Sequence, residues 1–132
     1  RRFHEAKICG IENVEIWGTG LPMREFLFVD DLAAACVHIM QLKKSDYERV
    51  SSDMCSHINV GSGSDVSIFE LAKLIARVVG YKGQISFDTS KPDGTLRKLM
   101  DSSKINSLGW TSTVDLDSGI ALTYKSFLGS DC

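Results

Sequence analysis

The chain has 132 residues, 43% of them hydrophobic and 24% charged, with two prolines and 11 glycines. That length holds one domain with one modest core, and the composition excludes the disordered and collagenous classes. With 15 basic and 17 acidic side chains the net charge is −2, which gives no general attraction to nucleic acid or to an anionic membrane.

In chain order, RRFHEAKIC reads as a helix stopped near Gly10, where glycine suits the left-handed cap position. It opens without an initiator Met and in mid-element, so the expectation is a fragment of something longer. Nothing in these first residues makes a signal peptide, and the expected location is cytoplasmic. Asn13 to Trp17 alternates apolar residues as a short strand, Gly18 to Pro22 is a turn, and Arg24 to Val29 reads as a second strand. Asp30 or Asp31 is expected to cap the next helix. That helix, LAAACVHIMQL, is nearly apolar throughout and is expected to pack on more than one side, yet it is far too short for the roughly 20 residues of a membrane span.

Lys43 to Ser56 is polar and predicts a surface loop, and His57 to Val60 a short strand running into Gly61-Ser62-Gly63-Ser64. Ser67 and Glu70 form a capping box, and Leu71, Leu74, Ile75, Val78 and Val79 share one helical face that ends at Gly80. Gln84 to Asp88 is a strand, TSKPDGTLRKLMD a polar segment, Ser102 to Leu108 a short helix, and Asp115 opens the last helix. Strands alternating with helices predict an α/β fold with a small, largely parallel sheet and flanking helices, as one domain over 1–132 without an internal linker or repeat.

Few residues offer chemistry. Cys9, Cys36, Cys55 and Cys132 lack the short ligand pairs of a zinc site, and no metal is expected. Cys132, at the terminus, is expected to be exposed. His38 lies in the apolar helix and His57 starts a strand, which favours structural roles for both. Gly61-Ser62-Gly63-Ser64 suggests a dinucleotide loop, but Val66 stands where that fingerprint needs its third glycine. Tyr47, Tyr81 and Tyr124 are followed four positions on by Ser51, Ile85 and Leu128, so the Tyr-Lys pair of short-chain reductases is missing from the chain.

Two loops are more informative. WGTGLPMREF offers Trp17 and Arg24, and KPDGTLRK offers Asp93, Arg97 and Lys98. Guanidinium and ammonium groups pair with phosphates, and a carboxylate accepts from ribose or sugar hydroxyls, so together they could hold a nucleotide diphosphate. The alternative is exposed loop charges beside a core tryptophan.

RRFHEA, WGTGLPMREFLFVDDLA, SHINVGSG, VVGYKGQISFD and KPDGTLRKLMD, in this order and spacing, resemble the bacterial GDP-L-fucose synthases, NADP-dependent epimerase-reductases among the extended short-chain dehydrogenases/reductases. The resemblance runs over nearly the whole chain. It implies the C-terminal substrate part of such an enzyme, with GDP-sugar contacts at Arg2, Trp17, Arg24, Asp93 and Lys98. It also implies that NADP and the catalytic Ser-Tyr-Lys group belong to an N-terminal Rossmann domain, which would be this chain's partner. The intact enzyme is then expected to be a homodimer and the chain alone to bind no cofactor and be inactive. Leu96 departs from the family's KPDGTPRK, and Phe28 stands where relatives often carry His. A free-standing nucleotide-sugar-binding or oligomerisation module is the other reading.

Overall fold

The computed structural model describes residues 1–130, so Cys132 lies outside the described residues. The elements are α1 (Arg2–Cys9), β1 (Asn13–Trp17), β2 (Met23–Glu25), α2 (Val29–Gln41), α3 (Lys44–Val50), β3 (Asp65–Ser67), α4 (Ile68–Val79), β4 (Gln84–Asp88), β5 (Arg97–Lys98), α5 (Ser103–Ser107) and α6 (Leu116–Ser130). The fold is α/β with parallel pairing, as the alternation of elements predicts. The strands form two small sheets, β1-β4 and β3-β2-β5, where one had been expected. Contacts group the residues into two compact units. One holds Arg1–Arg24, Asp65–Lys98 and the chain from Asp117 on; the other holds Glu25–Ser64 and Leu99–Leu116. Each is assembled from separated stretches, which is why no linker composition marks a boundary.

In the first unit β1 and β4 run parallel, pairing Asn13 with Gln84 through Trp17 with Asp88. Val14 is buried between them and the helices, in a core with Phe3 and Ala6 of α1 and Ala72, Ala76 and Val79 of α4. The Ser67–Glu70 capping box is formed, and Gly80 closes α4 in the left-handed conformation. Two further free amides of the first turn of α4 find carbonyls in the preceding turn: Ile68 donates to Pro22 at 3.0 Å and Phe69 to Gly20 at 2.9 Å. The Tyr81 hydroxyl donates to the Ile11 carbonyl at 3.0 Å, so this buried ring has its polar end satisfied.

The second unit packs Ala35 of α2 against Ile105 and Trp110, with Leu27, Ile39, Ile58 and Val60 around them. Here several expectations change. The strand after the turn stops at Glu25, and α2 begins at Val29 behind Phe28, with no side-chain cap. Asp31 does not cap the helix. It is buried, and its carboxylate accepts from the Thr113 hydroxyl at 2.7 Å, the Thr113 amide at 3.1 Å and the Val114 amide at 2.9 Å. The Val114 amide, followed by the Thr113 hydroxyl, holds its pKa below the ordinary aspartate value. The expected surface loop contains α3, and 57–60 is irregular chain. Nor is α2 packed on several sides within its unit: Val29, Val37 and Met40 stay exposed, Met40 at 85%. His38 is structural, its Nε2 donating to the Leu108 carbonyl at 3.0 Å.

Candidate functional site

The residues picked from the two loops all fall in the first unit. β1 ends at Trp17, and the chain turns through Gly18-Thr19-Gly20 before β2. Gly18 has φ 85°, and a Cβ built on it would lie 2.3 Å from Asp93 Oδ1, so only glycine fits there. The close approach lets Asp93 hold the turn. Its Oδ1 accepts from the Thr19 amide at 2.8 Å and its Oδ2 from the Thr19 hydroxyl at 2.6 Å. The hydroxyl first, then the amide, lowers the Asp93 pKa from its ordinary value. An ionised carboxylate only accepts, so any ligand it meets must offer hydroxyl or N–H groups and not phosphate oxygens.

Behind this clasp β2 and β5 pair in parallel, Met23 with Arg97 and Arg24 with Lys98. The two cations, 74 positions apart by number, are therefore register neighbours. The Arg24 guanidinium is half-buried; its Nη1 donates to the Met23 carbonyl at 2.6 Å, and a Cβ on Gly94 would lie 3.1 Å from its Nη2. Trp17 is 68% exposed, which overturns the reading of it as a core residue. The Lys91 ammonium lies 5.7 Å from the centre of its ring, within cation–π range.

Arg2 and Arg97 have protein partners of their own. Arg2 Nη2 donates to the Glu15 carbonyl on β1 at 2.7 Å. Arg97 forks onto Asp65 of β3, at 2.6 and 3.2 Å, and so holds the sheet together. Thr19 and Lys91 escaped the sequence reading. Lys91 adjoins the Pro-Asp-Gly turn and belongs to the same basic loop, but its stacking partner is remote in sequence.

Gly61 to Ser64 does not fit a dinucleotide phosphate. The Glu25 carboxylate already fills that turn: Oε1 accepts from the Gly63 amide at 2.8 Å, and a Cβ on Gly61 would meet it at 2.5 Å. An anion there would face a like charge. The stretch leads into β3 instead of opening directly as a helix, so this turn lacks the strand-to-helix form of a dinucleotide loop. Among the described residues no group of His, Cys, Asp and Glu could hold a metal, and no helix is long and apolar enough to cross a membrane.

Residues 1–61 match the NAD dependent epimerase/dehydratase family. The GDP-L-fucose synthase of Escherichia coli (strain K12) is 53% identical over 128 residues, 97% of this chain and 40% of that protein. GDP-L-fucose synthase 1 of Arabidopsis thaliana is 53% identical over 132 residues, 100% of this chain and 38% of that protein. Among solved structures, the GDP-mannoheptose C4 reductase of Campylobacter jejuni with NADP bound is similar at 40% identity and TM-score 0.82, over 97% of this chain and 42% of that one. The chain thus spans about 40% of the length of these relatives. By these likenesses the chain corresponds to the C-terminal part of the GDP-L-fucose synthases.

Proposed function

We propose that the chain is the GDP-sugar-binding part of an NADP-dependent enzyme that epimerises C3 and C5 of GDP-4-keto-6-deoxy-mannose and reduces its C4 ketone, giving GDP-L-fucose. The observation that carries this is the side-by-side pairing of Arg24 and Lys98 behind the Thr19–Asp93 clasp. Two cations held by a sheet register suit a diphosphate, and Arg24 can meet it with two parallel N–H donors. The exposed Trp17 ring offers a stacking face for the base. Asp93 accepts from a sugar or ribose hydroxyl with lone pairs that Thr19 leaves free. Arg2, with Nη2 bonded to the Glu15 carbonyl, has further N–H donors to offer the ligand.

This chain's share is to bind and orient, which removes part of the entropic barrier. The proton transfers of epimerisation and the hydride from NADPH belong, in this reading, to an N-terminal Rossmann domain. The intact enzyme is then a cytoplasmic homodimer. The exposed apolar residues of α2 accord with further protein covering that face.

Arg24→Ala in the intact enzyme should weaken GDP-sugar binding by roughly one to two orders of magnitude, because a charged hydrogen bond contributes about 1.5–3 kcal/mol net. Arg24→Lys should recover part of the loss, and NADPH affinity should hold. An unaltered KM for the GDP-sugar in Arg24→Ala would contradict the assignment. The 132-residue chain alone should not turn over NADPH; steady turnover by material free of host reductase would count equally against it.

A further inference from the structure

The Glu25 carboxylate ties three stretches of chain. It accepts from the Gly63 amide at 2.8 Å and the Ser62 hydroxyl at 3.4 Å through Oε1, and from the Met100 amide at 3.0 Å through Oε2. Gly61 lies so close that any side chain there would strike the carboxylate. Glu25 is the last residue of β2, directly after Arg24, and Met100 lies two residues beyond Lys98 at the end of β5. The β2–β5 ladder between them holds only two residue pairs, Met23–Arg97 and Arg24–Lys98. So short a ladder has little hold of its own. The Glu25–Met100 bond continues the tie just past it, between the same two chain segments.

Charge supports the same role. Neighbouring residues of a strand point to opposite faces. Arg24 turns toward Gly94, while Glu25 turns to Ser62, Gly63 and Met100. The carboxylate can therefore brace the strand without opposing an anion held by Arg24. The glycines of 61–63 serve as a receptor for an internal anion.

The geometry points to Glu25 as a positioning residue that keeps Arg24 and Lys98 adjacent for a diphosphate ligand, an assignment that rests on the sugar-nucleotide reading of those two cations. Glutamine at 25 keeps the size but offers one oxygen and one NH2, so either the Gly63 or the Met100 amide then faces a donor. The probe is GDP, titrated by calorimetry into the intact protein carrying this chain, with NADPH titrated in parallel. Each variant is measured at a temperature where circular dichroism finds it folded. Glu25→Gln should weaken GDP by roughly tenfold, the size of one lost charge-assisted hydrogen bond, with NADPH affinity unchanged. Gly61→Ala, which pushes the carboxylate aside without altering it, should weaken GDP in the same direction and decides the matter if Glu25→Gln fails to fold. Full GDP affinity in folded Glu25→Gln, or in Gly61→Ala where that one decides, would overturn the role if Arg24→Ala still weakens GDP. Full affinity in Arg24→Ala would instead remove the site itself, and the positioning role with it.

Discussion

The chain contains two glycine-bearing turns that each face a carboxylate of their own protein, and they differ in what is left over. At Gly18-Thr19-Gly20 the partner is Asp93, and Trp17, Arg24, Lys91 and Lys98 lie in the adjoining segments. At Gly61-Ser62-Gly63 the partner is Glu25, whose two oxygens take two backbone amides and a hydroxyl. The first turn is clasped with cations and an aromatic face to spare. The second is filled. Glycine spacing alone therefore says that a backbone must approach something closely; the charges nearby say whether that something is internal or comes from outside.

The largest way to break the contrast is Gly18→Ala. It forces a side chain into a backbone conformation at φ 85° and against Asp93 Oδ1, a strain on the order of 1–3 kcal/mol. GDP affinity of the intact enzyme should fall by up to roughly a hundredfold if the displaced clasp carries that strain into the site. Calorimetric titration checks it, and a Gly18→Ala enzyme with normal affinity would mean the clasp is irrelevant to binding.

Asp93→Asn is the intermediate case. The amide oxygen can still accept from the Thr19 amide and the NH2 group can donate to the Thr19 hydroxyl oxygen, but the charge that strengthens both bonds is gone, so a loss of roughly fivefold to tenfold is expected. The same bond gives a pH signature. Because the folded pKa of Asp93 is lowered, the clasp's contribution is complete above the ordinary aspartate value and is lost as pH falls through the lowered one. Amide exchange at Thr19 followed into acid should accelerate in that window in the native protein, and that acid-dependent step should vanish in Asp93→Asn.

The smallest effect belongs to Lys91→Ala, which removes an exposed cation–π contact worth about 0.5–1 kcal/mol. GDP affinity should change by about twofold to fivefold in the same titration. A larger loss would indicate a direct phosphate contact.

What could be read ahead of the structure follows from how local each signal is. The capping box at Ser67 and Glu70 and the alternation in β1 are set by neighbours in sequence and are present, while the buried face of α4 keeps Ile75 and Val79 of the expected set but centres on Ala72 and Ala76. Asp31 misled because an acid at a helix start usually caps it; here Thr113 and Val114, far along the chain, claim it. α3 was invisible because KSDYERV has no apolar stripe to bury, and it buries none of its residues. β3 and β5 hold three and two residues, too short for a periodicity to register. At the site, Arg24, Lys98 and Asp93 could be picked by residue type, but their adjacency depends on the β2–β5 register. The commitment of Arg97 to Asp65 and of Glu25 to the second turn likewise became visible only in three dimensions.

The most direct test of the contrast between the two turns is a crystal structure of the intact protein with GDP. The account predicts the diphosphate within hydrogen-bond reach of Arg24 and Lys98, the base against Trp17, and Glu25 still bonded to Gly63 and Met100. GDP phosphates bound at Gly61 to Ser64 with Glu25 displaced, or Arg24 and Lys98 both turned away from the nucleotide, would contradict it.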